Sequence, residues 1–253
     1  MKNKLAKITN IIYPLIGVAA FLLLWFVVAK VVDIELILPT PAMALKEFFL
    51  LWGEKSFWMA VGNTLLRTIV AFVIAFLLAM ILSIISYLCE PFKRIISPLI
   101  IILRATPTMS IILLAIIWMT SKTSPILISF LIIFPILYSD FYSALEGIDK
   151  GLIEMSNSYN VPISTQIKEL YVPSTLPYVF ASVKSTLSFT VKIMVSAEVL
   201  AQTADSMGNA MQIAKIYLDT AGLLGWTVMA IILSYLLELI VLGISKLVVR
   251  WKR

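Results

Sequence analysis

The sequence contains no histidine, one cysteine (Cys89) and few charges: 13% of its 253 residues are Asp, Glu, Lys or Arg, against roughly 25% in an ordinary soluble domain. Each scarcity excludes something. Without imidazole there is no His-ligated metal site and no histidine acid–base catalysis. One cysteine closes no internal disulfide and builds no thiolate cluster, so cysteine usage says nothing about the compartment. No G-x-x-x-x-G-K-[ST] phosphate loop occurs, so the chain does not bind ATP by that route. With 61% hydrophobic residues and a mean hydropathy of +1.01, too little polar surface remains to cover a soluble core. Disorder needs the opposite composition. Lipid is therefore the solvent for most of this chain.

What the sequence does have is long apolar runs. A helix needs roughly 20 apolar residues to cross about 30 Å of hydrocarbon, and six segments qualify: 11–32, 64–88, 98–119, 125–142, 177–200 and 223–245. They are too long and too uniformly apolar for the alternating strands of a β-barrel. Pro107 and Pro135 fall inside spans, as kinks that neighbouring helices can re-satisfy. The first run follows Lys2, Lys4 and Lys7 like a signal peptide. It is too long for an h-region and lacks a small-residue cleavage site, so it is expected to stay as a membrane helix. The expected fold is an all-α integral membrane protein, a single transmembrane domain over 1–253.

Basic residues orient the spans. With the N-terminus cytoplasmic, the inner segments hold eleven: Lys2, Lys4, Lys7, Lys93, Arg94, Lys150, Lys168, Lys246, Arg250, Lys252 and Arg253. The outer loops hold four, Lys46, Lys55, Lys122 and Lys215. Both termini are expected inside. The net charge of +6 then reflects this retention rather than a nucleic-acid footprint.

The longest inner connection, 143–176, is also the most polar stretch, and a loop of that length is more often functional than idle. Ile148, Leu152, Met155 and Tyr159 recur at helical spacing, predicting one amphipathic helix over 148–159. Asn160 suits the left-handed conformation at a helix end, and Pro162 blocks continuation. Ser164 is expected to cap a second helix through Leu170, with Pro173 and Pro177 punctuating the entry to the fifth span.

This loop resembles the signature of the membrane subunits of bacterial ABC importers that work with a separate binding protein: Glu-Ala-Ala, three residues, Gly, nine residues, Ile-x-Leu-Pro. Here Glu154-Met155-Ser156, three residues, Asn160, nine residues and Leu170-Tyr171-Val172-Pro173 keep the spacing, with departures at Met155, Ser156 and Asn160. Further pieces are similar to the nitrate/sulfonate/taurine branch, in order along the chain. They are Leu38-Pro39-Thr40-Pro41, Asn63-Thr64-Leu65 with Arg67, Arg104-Ala105-Thr106-Pro107, Ala197-Glu198 and Met207-Gly208.

The resemblance implies a type I importer permease in the bacterial inner membrane: six spans, a two-helix coupling loop and a homodimer enclosing the path. It also implies ATP-binding cassette ATPase subunits and a periplasmic or extracellular substrate-binding protein as partners. Glu154, Met155, Ser156, Tyr159, Asn160 and Pro173 are then the ATPase-coupling residues. No chemistry on the cargo, no cofactor and no nucleic-acid partner is expected; the cargo is a small solute, and lipid surrounds the spans.

Two other classes compete. An ion-coupled secondary transporter needs intramembrane carboxylates, for which only Asp140, Glu198 and Glu238 are available, all near predicted span ends. An intramembrane hydrolase would need a pair such as Ser188 with Lys192. Those residues read better as a polar stripe: on a helical wheel Lys184, Ser188, Lys192 and Gln202 fall within about 80° of one another. Lysine deep in lipid costs a few kcal/mol, so this face is expected to line the translocation path, with Lys192 favouring anionic cargo. Glu198, near the outer end of the span, is grouped with the path residues and is expected either to help form the outer gate or to meet the binding protein.

Overall fold

Without water to satisfy the backbone, a spanning segment pairs every N–H and C=O internally, and the helix is the local solution. The structure, a computed structural model, describes residues 2–249, and every regular element among them is helical. The helices are α1 (Lys2–Val32), α2 (Pro41–Trp52), α3 (Lys55–Leu88), α4 (Glu90–Ala105), α5 (Thr108–Trp118) and α6 (Ser124–Glu146). They continue as α7 (Lys150–Ser158), α8 (Ile163–Gln166), α9 (Val172–Ala201), α10 (Met207–Ile216) and α11 (Thr220–Val248). Arg250, Lys252 and Arg253, used in the charge count, lie outside the described residues.

Among the described residues, five stretches are long and apolar enough to cross a membrane: Ile12–Val32, Lys55–Leu88, Ser124–Glu146, Ile163–Ala201 and Thr220–Val248. The span expected at 98–119 takes another form. α4 and α5 meet at a bend of 98°. Pro107 disfavours the helical region for Thr106, which sits at φ −67° and ψ 127° and closes α4 through its N–H to the Ile102 carbonyl. The Pro107 carbonyl then starts α5 by accepting from the Ser110 N–H. Pro135, by contrast, sits inside an unbroken α6.

A second departure lies in the 143–176 loop. No separate helix ends at Leu170. α8 passes through a π turn, Ile167–Tyr171, directly into α9, and Pro173 and Pro177 interrupt nothing. The Val172 N–H reaches the Ile167 carbonyl, one residue beyond α-helical register. This wider turn immediately precedes Pro173, a residue with no N–H and a ring that presses on the carbonyl four positions back. The resulting rod of 39 residues is roughly 58 Å long at 1.5 Å per residue, well beyond the hydrocarbon thickness.

The chain forms two units, 1–58 with 210–229, and 59–209 with 230–253. In the first, Phe57 is buried against Phe48 and Trp226, with ring centroids 6.3 and 4.8 Å away. The Trp25 indole donates to the Pro39 carbonyl at 3.1 Å. α1 carries an almost fully exposed apolar surface, suited to lipid. In the second unit α6 is central: Ile128, Ile133 and Leu137 are fully buried, packed with α5 and with Val191 and Met194 of α9. Burying side chains of this size stabilises each by about 1.5–3 kcal/mol relative to water.

Candidate functional site

α7 begins at Asp149, whose carboxylate accepts from the Gly151 N–H at 2.8 Å. This N-cap satisfies one of the helix's orphan donors. α7 ends where the Asn160 N–H donates to the Asn157 carbonyl and the Val161 N–H to the Ser156 carbonyl. With Asn160 at φ 49°, that pairing is the Schellman ending, and Pro162 follows it. The helix is shorter than the 148–159 periodicity predicts because Ile148 is buried before its start and Tyr159 already leaves helical geometry.

Between its ends α7 buries no residue. Leu152, Met155 and Tyr159 share one face and are 42, 53 and 79% exposed. Glu154 is exposed beside them and stands in no ion pair among the described residues. Ser156 donates to the Ile153 carbonyl at 2.8 Å, within α7 itself. Gln166 joins α7 to the α8–α9 rod: buried, its amide donates to the Asn157 side chain at 3.1 Å and to the Val161 carbonyl at 3.0 Å. These two bonds fasten the end of α7 to the start of the rod. Sequence reasoning missed Gln166; a lone polar residue beside a helix start carries no pattern. Pro173 stands two residues past the end of the π turn, in the first turn of α9, and affects the rod's geometry rather than α7's face.

On α9 the polar stripe separates into three fates. Lys184 Nζ pairs with Glu238 Oε1 of α11 at 2.6 Å. Ser188 donates to the Ser234 carbonyl at 3.2 Å. Lys192 is exposed and stands in no ion pair among the described residues. Gln202 is not on the stripe: it caps α9 in left-handed geometry, φ 47°, where the wheel no longer applies.

Glu198, grouped with the path residues, is enclosed within this chain. Its side chain is fully buried. Thr64 donates to Oε2 at 2.8 Å, Arg67 Nη1 lies 3.0 Å from Oε1, and the Gly208 N–H points at Oε2 from 3.3 Å. Thr64 Oγ1 also accepts from the Met207 N–H at 3.0 Å, and Asn63 donates to the Asp205 carbonyl. Three of the separated sequence pieces, Asn63-Thr64 with Arg67, Ala197-Glu198 and Met207-Gly208, therefore meet in one place. A buried carboxylate survives in apolar surroundings only with this kind of partnering.

The sequence profile of the binding-protein-dependent transport system inner membrane components matches residues 75–253. The chain belongs to that family. This permease is a transport subunit rather than an enzyme, and a membrane component by family as well as by its helices. It is 26% identical over 217 residues to the "Putative aliphatic sulfonates transport permease protein SsuC" of Escherichia coli (strain K12), covering 85% of this chain and 82% of that one. Solved structures agree on the fold. The methionine ABC transporter MetNI, in inward-facing conformations, matches 75% of this chain and 95% of its own with a TM-score of 0.64 at 19% identity. A bacterial ABC transporter involved in import of the acidic polysaccharide alginate matches 98% of both chains, with a TM-score of 0.63 at 13% identity. The permease fold is thus that of the type I importers.

Proposed function

We propose that this permease works as the path-forming subunit of an ATP-driven importer of a small sulfonate-like anion, powered through α7 by an ATPase on a separate chain. The observation that carries the reading is the pairing of exposure and attachment in α7. Leu152, Met155 and Tyr159 offer an unburied apolar face, and Gln166 fastens the same helix to the rod containing α9. A face left bare on one side and hydrogen-bonded on the other suits a lever. Glu154 supplies a carboxylate to a basic group of the ATPase, Met155 and Tyr159 fill its cleft, and Ser156, Asn160 and Pro173 shape the helix and its exit.

Orientation follows the basic residues, both termini and α7 being cytoplasmic. Two copies enclose the passage, α9 of each lining it, because one chain's helices do not close a path alone. An external receptor delivers cargo. ATP binding closes the ATPase pair, α7 moves with it, and the α9 rods open outward; ADP release reverses the motion. The sulfonate preference draws on the similarity to the E. coli protein and on Lys192, an exposed cation on a spanning helix.

The test is reconstitution in liposomes with a cognate ATPase subunit and substrate-binding receptor. ATP-dependent accumulation of an aliphatic sulfonate is the expected result. Accumulation that needs no ATPase would overturn the reading.

A further inference from the structure

Between α3, α6 and the α8–α9 rod lies a cavity of about 470 Å³, within the roughly 300–1,000 Å³ of small-molecule sites. Met80 and Tyr87 of α3, Phe141 of α6, and Ile167, Tyr171 and Val179 of the rod line it. No charged side chain is among the described residues around it. Its two aliphatic hydroxyls are already spent within their own helices. Ser83 donates to the Met80 carbonyl at 3.0 Å, and Thr175 to the Tyr171 carbonyl at 2.8 Å. A polar solute would shed its water there with little in return, so the lining selects an apolar occupant.

Length and surroundings narrow that occupant. The α3 residues along the cavity run from Phe76 to Leu88, roughly 18 Å at 1.5 Å per residue. That is close to one leaflet's share of the hydrocarbon, about 15 Å as half of 30 Å. Near the Leu88 end the Tyr87 and Tyr171 rings meet edge to face, centroids 6.2 Å apart. Ile167 and Tyr171, the first and last residues of the π turn, both line the cavity, and π turns recur at functional sites. Between them stands Lys168, exposed and in no ion pair among the described residues.

We propose that this cavity holds one acyl chain of an anionic phospholipid, its headgroup beside Lys168. The chain lies along α3 and the rod, and Tyr87 and Tyr171 take the headgroup depth at which amphipathic rings settle. On the orientation proposed above, the lipid belongs to the cytoplasmic leaflet.

The test places the full chain in phosphatidylcholine vesicles holding a trace of photoreactive phosphatidylglycerol or photoreactive phosphatidylcholine. Both probes carry the same diazirine acyl chain, and adducts are located by peptide mass spectrometry. Yields at Met80, Tyr171 and Val179 are divided by those at Phe21 and Leu23, exposed on α1. The normalised yield is expected to be about fivefold higher for phosphatidylglycerol, the effect of one lysine at a lipid surface. Lys168→Gln, at an exposed position, removes that preference, and Val179→Trp, which fills the cavity, lowers the yield from both lipids. If Val179→Trp fails to fold, Lys168→Gln decides alone. Equal yields from the two lipids, a preference unmoved by Lys168→Gln, or no adducts in the cavity, as when a second copy of the chain covers it, overturns the proposal. No ATPase, receptor or cargo takes part, so failure of the importer reading would leave this result standing.

Discussion

Arg67 and Glu198 meet at 3.0 Å across 131 residues of sequence, tying the start of the second long helix to the end of the fourth. The carboxylate is fully enclosed while the guanidinium keeps an edge toward the surface. Breaking such a pair from one side leaves a buried charge alone, at a cost of about 3–5 kcal/mol. Arg67→Met is therefore expected to lower the unfolding midpoint of the purified protein sharply. Removing both charges while keeping the acceptor for Thr64 and Gly208, Arg67→Met with Glu198→Gln, recovers much of the loss. Midpoints in detergent measure this, and an unchanged Arg67→Met protein would refute the role.

Gly208 closes the same clasp. A Cβ on it would lie 2.5 Å from Glu198 Cβ and 2.6 Å from both the Val195 carbonyl and the Val199 N–H. Two of those three atoms are backbone and cannot swing away. Gly208→Ala is expected to destabilise by about 1–3 kcal/mol, read in the same assay, whereas Gly62→Ala, with open space around it, changes little.

Much of this was legible in the residues. The apolar runs announced five of the crossings, and the spacing from Glu154 to Pro173 announced the loop. The clasp was visible only as scattered short pieces, because nothing in one dimension says that Thr64, Glu198 and Gly208 share a point in space. Two errors came from treating proline as punctuation. Pro107 does end a helix; Pro173 and Pro177 do not, since a π turn seats the first and a long helix absorbs the second. The wheel misplaced Gln202 because the helix ends there in left-handed geometry, and the burial of Glu198 comes from α3 and α10 packing against that end of α9, which α9's own periodicity does not carry.

The two lysines of α9 are expected to behave differently. Lys184 is already neutralised by Glu238, and the pair is one-third exposed, worth no more than about 1 kcal/mol. Replacing both, Lys184→Met with Glu238→Leu, should leave sulfonate uptake near normal. Lys192→Met removes an unpaired cation, and uptake of an anionic solute in proteoliposomes should fall about tenfold, the equivalent of one lost surface-type charge contact of roughly 1.4 kcal/mol. Equal effects of the two changes would remove Lys192 from the path.

Gln166 fastens α7 to the α8–α9 rod. Gln166→Leu strips the donor from the Val161 carbonyl and the Asn157 side chain, costing about 1–3 kcal/mol locally. The reconstituted complex is expected to keep hydrolysing ATP while transport per ATP declines. A proportional decline in both would show that Gln166 serves folding only.

The coupling role of α7 is tested most directly by contact. Met155→Cys, in the chain lacking Cys89, should cross-link to the ATPase subunit in membranes, and nucleotide should change the yield. Tyr159→Ala and Glu154→Ala should reduce that cross-link while altering chain stability by no more than about 0.5 kcal/mol, as expected for exposed positions. A Met155→Cys chain that transports normally, yet reaches no ATPase under any nucleotide condition, would contradict the account.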